Sequence, residues 1–218
     1  MPEAAARAHT RVRRHWRLWA DPDAWAAMLA ERPDLAAEPY VADWARNEWP
    51  LIACRPPHGA PGSMIAAGLA LPPEAGKKKL FILLPPEGVA KMAPPPSLIN
   101  AAASAPPDWS DWIAALLRAA PGVAVYGSLA WQYGTGLTYL GPTSDLDLLL
   151  THQSREESEA LLRRIALIAA SAPMRIDGEL VRTDGTAAQW RELFDGSPDV
   201  LVKRMAGVGP MSRAEFLA

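Results

Sequence analysis

The sequence is poor in the features that mark secreted and membrane proteins. Cys54 is the single cysteine among 218 residues, so there is no internal disulfide framework, and we expect a cytoplasmic protein in a reducing compartment. No apolar run reaches the roughly 18 residues of a membrane-spanning helix, so we expect no membrane partner. The basic stretch over residues 1–19 lacks the apolar core of a signal peptide.

The chain also lacks an excess of either charge. Its 22 basic and 24 acidic residues give a formal net charge of -2 and a pI near 6.1. Because nucleic-acid-binding proteins usually carry a basic surface interleaved with aromatic residues, we expect no nucleic-acid partner. Hydrophobic residues, by contrast, make up 50% of the sequence, which suits one or two small domains with real cores.

Two proline clusters predict the domain organisation. Pro94-Pro95-Pro96 and Ala105-Pro106-Pro107 bracket a junction, because proline restricts the backbone and ends regular structure. We therefore expect an N-terminal domain over residues 1–96 and a C-terminal domain over residues 108–218. The first is expected to be small and mostly β, with helices over 22–30 and 40–47 and strands over 51–55, 65–71 and 79–84.

The C-terminal domain shows clearer helix and strand signals. Ser154 and Glu157 form a capping box before one helix, and Ser212 with Glu215 can cap another near the C-terminus. The predicted order is β-α-β-α-β-α-β, which indicates an α/β (α+β) domain with a mixed sheet, because one connection is a tight turn. The expected helices cover 109–119, 128–133, 156–170 and 187–194, and the strands cover 123–126, 145–150, 174–181 and 200–205.

Asp145 and Asp147 are the most informative residues of the sequence. They open the apolar run Leu148-Leu149-Leu150, and strand side chains alternate, so both carboxylates should share one face at a sheet end. Two carboxylates at close range repel each other unless a cation lies between them. A solvated strand edge or an Asx turn is the alternative interpretation, but the position near a core favours a Mg²⁺ site.

Gly127 and Ser128 lie between a predicted buried strand and a helix. Such a turn points backbone N–H groups at an anion, although an ordinary tight turn with Ser128 as helix cap is also consistent. A phosphate-binding turn beside a Mg²⁺-binding carboxylate pair is the apparatus for phosphoryl or nucleotidyl transfer. Asp177 is the expected third carboxylate, as metal ligand or general base, with Glu179 on the same face as its competitor.

Basic and polar residues supply further candidates. Lys203, on the last predicted strand, can bind phosphate as a compact charge or simply face solvent. Gln132, with Thr135 and Tyr139, can line a nucleotide pocket. Lys77, Lys78 and Lys79 form either a solvated turn or a surface for an acidic partner.

The C-terminal domain resembles the nucleotidyltransferase superfamily that includes DNA polymerase β, in which Gly-Ser, a helix, Asp-x-Asp and a third carboxylate follow one another. Within it, the chain resembles the malonate decarboxylase holo-acyl-carrier-protein synthases, also called phosphoribosyl-dephospho-CoA transferases. The motifs that carry the resemblance are Gly127-Ser128-Leu129-Ala130-Trp131-Gln132, Thr135-Gly136-Leu137-Thr138-Tyr139-Leu140, Ser144-Asp145-Leu146-Asp147-Leu148-Leu149, Asp177-Gly178-Glu179-Leu180, Trp190-Arg191-Glu192-Leu193 and Leu201-Val202-Lys203.

The resemblance implies a reaction. The enzyme would transfer the prosthetic group of 2'-(5''-triphosphoribosyl)-3'-dephospho-CoA to a serine of the acyl-carrier subunit of malonate decarboxylase, releasing pyrophosphate. Mg²⁺ on Asp145, Asp147 and Asp177 would bind the triphosphate, with Gly127, Ser128, Gln132 and Lys203 as substrate-binding residues. The N-terminal domain would recognise the carrier protein or the substrate, and its candidate docking charges are Arg11, Arg13, Arg14, Arg17, Lys77, Lys78 and Lys79.

Two alternatives stay open at this point. One is a metal-dependent nucleotidyltransferase that acts on another acceptor, such as a small molecule or a different carrier. The other is a non-catalytic binding module of the same fold, although a degenerate protein would more often lose one of the paired aspartates.

Overall fold

The structure is a computed structural model that describes residues 12–218, so Arg11 lies outside the described residues. It divides into two compact units, one ending at Pro94 and one spanning Pro95–Ala218. The second unit begins at Pro95 rather than near residue 108, since Leu98 and Ala101 are fully buried in its core. The backbone agrees, because Leu98 N–H donates to the Val123 carbonyl at 2.9 Å.

The first unit is built on a five-stranded antiparallel sheet. Its elements are β1 (Arg17–Ala20), α1 (Pro22–Ala30), α2 (Pro33–Ala36), β2 (Leu51–Ala53), β3 (Ile65–Ala70), β4 (Lys79–Leu84) and β5 (Val89–Ala93). The strand order is β4-β3-β2-β1-β5. Asp21 caps α1 by accepting from two backbone N–H groups at 3.0 Å. The core of the unit is rich in tryptophan, with Trp25 and Trp44 almost fully buried.

The helix over 22–30 and the three predicted strands of this unit are confirmed, and β1 and β5 are additional. The helix predicted over 40–47 is wrong, because the segment forms a series of turns. Tyr40 at its start adopts a φ of 67°, outside the helical region. The buried Trp25 indole also donates to the Val41 carbonyl at 2.8 Å, which anchors the turns to the core.

The second unit is built on a six-stranded mixed sheet. Its elements are α3 (Leu98–Ala101), α4 (Ser110–Ala119), β6 (Ala124–Val125), α5 (Gly127–Thr135), β7 (Leu146–Thr151), α6 (Arg155–Ala169), β8 (Ile176–Val181), β9 (Ala187–Gln189), α7 (Trp190–Asp195), β10 (Asp199–Lys203), β11 (Val208–Ser212) and α8 (Arg213–Leu217). The strand order is β11-β10-β9-β8-β7-β6. Only the β7–β8 pair is parallel among its described strands, and α6 makes the crossover that such a pair needs.

The predicted α+β class and the mixed sheet are confirmed, as are both caps. Ser154 and Glu157 form a complete capping box on α6, and the Ser212 hydroxyl accepts from Glu215 N–H on α8. The helix predicted over 187–194 is wrong in its first part, because Ala187–Gln189 fills the sheet position between β8 and β10. The edge strand β11 is additional.

The core of the second unit lies between the sheet and its helices. It combines the strand leucines with residues of α4, α5 and α6. Strands β7 and β8 therefore contribute buried side chains along most of their length. None of the helices in residues 12–218 combines the length and apolar character of a membrane-spanning segment. Core residues that are at most 1% exposed include Leu98, Leu116, Leu146, Leu148, Leu150, Ile165, Ile176, Leu180, Trp190 and Phe216.

Candidate active site

Three aspartates meet where the parallel strands β7 and β8 begin. The strand register pairs Asp147 directly with Asp177, and Asp145 lies one residue before β7. Because neighbouring parallel strands start at the same edge of a sheet, residues that are thirty positions apart in sequence become side-by-side carboxylates. The structure therefore brings together the predicted pair and the predicted third carboxylate.

Arg175 joins two of these carboxylates. Its Nη2 lies 3.0 Å from Asp145 Oδ2 and 2.6 Å from Asp177 Oδ2, and its Nε donates to Asp145 Oδ2 at 3.1 Å. The charge of Asp177, the hydrogen bond and charge of Asp145 and the charge of Asp147 raise the pKa of Arg175 above its already high ordinary value. One guanidinium thus offsets part of the negative charge of three acidic groups.

Gly127 forms the turn that faces Asp147. Helix α5 begins at Gly127, whose φ of 63° is left-handed, and Tyr126 N–H donates to the Asp147 carbonyl at 3.1 Å. A Cβ at Gly127 would lie 1.9 Å from Asp147 Oδ2, so only glycine lets the carboxylate approach this turn. Ser128, half-buried, follows in the first turn of α5.

Gly178 allows the two aspartate-bearing strands to stay close. Its φ is 149°, and a Cβ there would lie 2.2 Å from the Leu148 carbonyl oxygen on β7. Its N–H donates to Asp177 Oδ1 at 2.8 Å, which orients that carboxylate. The backbone at Gly178 therefore sets both the strand spacing and the direction of the Asp177 side chain.

Two residues of the site were missed from the sequence. Arg175 could have been found, because residues two apart on a strand share a face and Arg175 precedes Asp177 by two positions. Gln189, at the end of β9, donates from Nε2 to Asp177 Oδ1 at 2.6 Å. Its oxygen also caps α7, and no local sequence signal points to it.

Gln132 holds the loop that leads to the aspartate pair. Its Oε1 accepts from Tyr139 N–H at 2.9 Å and Leu140 N–H at 3.0 Å, and its Nε2 donates to the Ser104 carbonyl at 2.6 Å. Trp131 stacks on Tyr139, with ring centroids 6.0 Å apart. The amide of Gln132 thus holds the backbone at Tyr139 and Leu140, in the loop that precedes Asp145. A role of Gln132 in binding substrate stays a prediction.

Lys203 and Glu179 form a separate pair further along the sheet. Lys203 Nζ lies 2.9 Å from Glu179 Oε1, and the Glu179 side chain is only 2% exposed. A buried carboxylate requires such a partner, because an uncompensated charge in the protein interior is costly. In this structure Asp177 shares a guanidinium with Asp145, while Glu179 is neutralised by Lys203.

The donor chemistry of the site fits a hard divalent cation. Carboxylate oxygens are the ligands that Mg²⁺ prefers, and three carboxylates face the same end of two paired strands. Among residues 12–218, no three His, Cys, Asp or Glu side chains already stand in the arrangement of a metal-binding group. Here the Arg175 guanidinium, itself a cation, bridges two of the three acids.

The basic residues of the first unit differ in their surroundings. Lys78 Nζ lies 2.7 Å from Glu38 Oε1, whereas Lys77 and Lys79 are exposed beside it. Arg17 donates to the Pro94 carbonyl at 3.0 Å and lies over the Trp19 ring. Lys77 and Lys79 therefore present their charge to solvent.

The sequence matches family models over both units. Residues 97–214 match the model described as the phosphoribosyl-dephospho-CoA transferase MdcG C-terminal domain, and residues 13–95 match the corresponding N-terminal domain. The chain belongs to the phosphoribosyl-dephospho-CoA transferase MdcG family. It is therefore a transferase, as the motifs around Gly127, Asp145 and Asp177 predict.

Curated relatives extend this likeness over nearly the whole chain. A phosphoribosyl-dephospho-CoA transferase of Bradyrhizobium diazoefficiens is 43% identical over 210 residues, covering 94% of this chain and 92% of the relative. A protein of the same name from Xanthomonas euvesicatoria pv. vesicatoria is 34% identical, covering 87% and 89%. That of Xanthomonas campestris pv. campestris is 30% identical, covering 89% and 91%. No solved structure matches this chain.

Proposed function

We propose that this MdcG-family transferase attaches the phosphoribosyl-dephospho-CoA prosthetic group to the acyl-carrier subunit of malonate decarboxylase. The donor is 2'-(5''-triphosphoribosyl)-3'-dephospho-CoA and the acceptor is a serine hydroxyl of the carrier. The observation that carries the proposal is the cluster of Asp145, Asp147 and Asp177 at the start of β7 and β8, beside the Gly127 turn. The family membership of both units supports the choice of donor.

The reaction is a substitution at phosphorus. The serine oxygen forms a bond to the α-phosphorus of the donor, the bond from that phosphorus to its bridging oxygen breaks, and pyrophosphate leaves with the bonding electrons. The serine proton passes to a base, for which the Asp177 carboxylate is the candidate. The products are a phosphodiester on the carrier serine and free pyrophosphate.

Each site residue has a defined task in this scheme. Asp145, Asp147 and Asp177 would hold Mg²⁺, which would neutralise charge on the triphosphate and lower the pKa of the attacking hydroxyl. Gly127 and Ser128 are the first residues of helix α5, and their backbone N–H groups donate to the leaving phosphates. Gln132 keeps the loop before Asp145 in place. Lys203, which pairs with Glu179, is the remaining candidate for contact with the phosphates.

The first unit is proposed to recognise the carrier. Carrier proteins are usually acidic, and opposite charges on two surfaces accelerate their encounter. The exposed Lys77 and Lys79 supply such positive charge. Lys78, which pairs with Glu38, is a third candidate on the same turn. Arg11, Arg13, Arg14 and Arg17 are the remaining candidates.

The test is the intact mass of the purified apo carrier subunit after incubation with the enzyme, Mg²⁺ and the triphosphoribosyl donor. We expect the carrier to gain the mass of one phosphoribosyl-dephospho-CoA group, with release of one equivalent of pyrophosphate. Asp145→Asn, Asp147→Asn and Asp177→Asn keep the side-chain shape but remove charge, so each should slow the transfer at least about a hundredfold.

Asp199→Asn is the matched control, because Asp199 is an exposed aspartate at the start of β10. It should retain the wild-type rate. No mass gain on the carrier, despite tight Mg²⁺-dependent binding of the donor, would move the function to another acceptor. Retained activity in all three aspartate variants would show that these carboxylates do not carry the chemistry.

A further inference from the structure

Arg175 occupies the position that links the site carboxylates. Its side chain is 60% exposed, yet its guanidinium contacts Asp145 and Asp177, which are 34% and 21% exposed. A guanidinium does not lose its proton in a protein, so this positive charge persists at every working pH. Arg175 is therefore a permanent counter-charge of Asp145 and Asp177.

Arg175 contacts carboxylate oxygens at which a divalent cation would also bind. Asp177 Oδ1 already accepts from Gly178 N–H at 2.8 Å and from Gln189 Nε2 at 2.6 Å. The remaining oxygen, Oδ2, is the one bound by Arg175. On the other side, Arg175 contacts Asp145 Oδ2 with both Nε and Nη2. A cation that binds Asp145 and takes Asp177 at Oδ2 would therefore compete with the Arg175 guanidinium for these two carboxylates.

The side chain of Arg175 can leave without disturbing the strands. Its backbone carbonyl accepts from Leu146 N–H at 2.9 Å, which anchors the residue between β7 and β8. Rotation about the bonds of the long, mostly exposed side chain can therefore move the guanidinium while the backbone stays in place. Its planar fork of donors matches phosphate oxygens in a bidentate manner.

We propose that the Arg175 guanidinium stands in for the divalent cation between Asp145 and Asp177, and that cation binding releases it to the triphosphate of the donor. This inference rests on the proposed function for the identity of the donor. Its first half, the competition between Arg175 and the cation, concerns the protein and the ion alone. Arg175 thereby couples cation loading to recognition of the anionic substrate.

The competition is tested with Mn²⁺ as the probe, by counting free Mn²⁺ from its electron paramagnetic resonance signal without carrier or donor. Arg175→Ala removes the competitor, so it should bind Mn²⁺ about 2- to 10-fold more tightly than wild type, as expected for loss of exposed ion pairs. In EDTA the same variant should melt at a lower temperature, because its carboxylates then lack a counter-charge, and Mg²⁺ should raise its Tm more than that of wild type.

Two further variants sharpen the test. Arg164→Ala removes an exposed arginine of α6 and should leave the Mn²⁺ affinity unchanged. Arg175→Lys keeps the charge without the fork, so its Mn²⁺ affinity should fall between those of wild type and Arg175→Ala. Unchanged or weaker Mn²⁺ binding by Arg175→Ala would overturn the competition.

The release is tested by the dissociation constant of the triphosphoribosyl donor. With Mg²⁺ at saturation, Arg175→Ala should bind the donor about tenfold more weakly, and without Mg²⁺ the two proteins should differ little. Equal affinities at saturating Mg²⁺ would overturn the release. Failure of transfer to the malonate decarboxylase carrier, with the Mn²⁺ and donor results as expected, would instead overturn only the proposed acceptor.

Discussion

The Asp147 carboxylate lies so close to Gly127 that a Cβ added to this glycine would be 1.9 Å from Asp147 Oδ2. This contact joins the two halves of the site, because Gly127 begins helix α5 and Asp147 lies on β7 opposite Asp177. A helix N-terminus and a carboxylate ordinarily attract each other, and here the carboxylate also lies beside Asp177 on the paired strand. The glycine is therefore needed for space as well as for its backbone conformation.

Replacing Gly127 by alanine should displace Asp147 and reduce activity. The added methyl carbon would lie 1.9 Å from Asp147 Oδ2, which is a severe steric clash. The φ of 63° adds strain of about 1 kcal/mol for a residue with a Cβ. We expect a loss of at least about tenfold in kcat and weaker Mn²⁺ binding. Steady-state kinetics and Mn²⁺ titration of the purified variant measure both effects.

Gly136→Ala is the matched control for this substitution. Gly136 ends α5 with a φ of 74°, but a Cβ there meets nothing within 4 Å, so the variant carries the strain without the collision. It should lose stability while keeping its affinity for Mn²⁺. Equal Mn²⁺ affinities for Gly127→Ala and Gly136→Ala would mean that the contact with Asp147 does not position the carboxylate.

Local chemistry explains which parts of the fold could be predicted from the sequence. The capping box of Ser154 and Glu157 and the aspartates at the start of β7 depend on neighbours within a few residues. Edge strands carry weaker signals, and β11 includes Pro210, which a sheet tolerates only at its edge or at an irregularity. For Ala187–Gln189, the sheet position overrides the helical preference of alanine.

The site likewise has features that the local sequence predicts and features that depend on long-range structure. The identities of Asp145, Asp147 and Asp177 follow from residue types and alternation, but their closeness depends on the register of β7 and β8. That register is a long-range property, fixed by core packing and by the close approach at Gly178. Gln189 enters through a third strand, so no local pattern reveals its bond to Asp177.

Gln132 is expected to stabilise the loop before Asp145. Gln132→Ala removes two bonds to backbone N–H groups and one to the Ser104 carbonyl, which should lower the free energy of unfolding by about 2 to 3 kcal/mol. Because the loop leads to Asp145, kcat should also fall, by about tenfold. Gln153→Ala, at an exposed glutamine, is the control for urea unfolding and should change stability little. An unaltered midpoint for Gln132→Ala would show that the loop is held by other contacts.

Charge reversal at Lys77 and Lys79 tests carrier docking. If these exposed lysines attract an acidic carrier, Lys77→Glu with Lys79→Glu should raise the KM for the carrier about tenfold. The Mg²⁺ requirement should stay the same, and the effect should shrink at high salt, because salt screens exposed charges. The double reversal Arg163→Glu and Arg164→Glu, on an exposed stretch of α6, matches the change in net charge. Equal carrier KM values for the two double variants would remove the lysine turn as a docking site.

The capping box of α6 predicts a pH dependence of stability. The Ser154 hydroxyl and backbone N–H donate to Glu157 Oε2, at 2.7 and 3.2 Å, and these bonds lower the pKa of Glu157 in the folded protein. The folded state therefore favours the charged carboxylate, and this contribution is fully present above the unfolded pKa of about 4.3. It disappears as the pH falls through the lower folded pKa.

Melting temperatures of wild type and Glu157→Gln should consequently differ most near neutral pH and converge at strongly acidic pH. Glu156→Gln, at an exposed glutamate of the same helical turn outside the capping box, is the control and should show a smaller offset at neutral pH. The measurement is a series of thermal melts, followed by circular dichroism, from neutral to strongly acidic pH. An offset for Glu157→Gln that stays constant down to low pH would contradict the assignment, because a neutral Glu157 no longer gains from donors that favour its charged form.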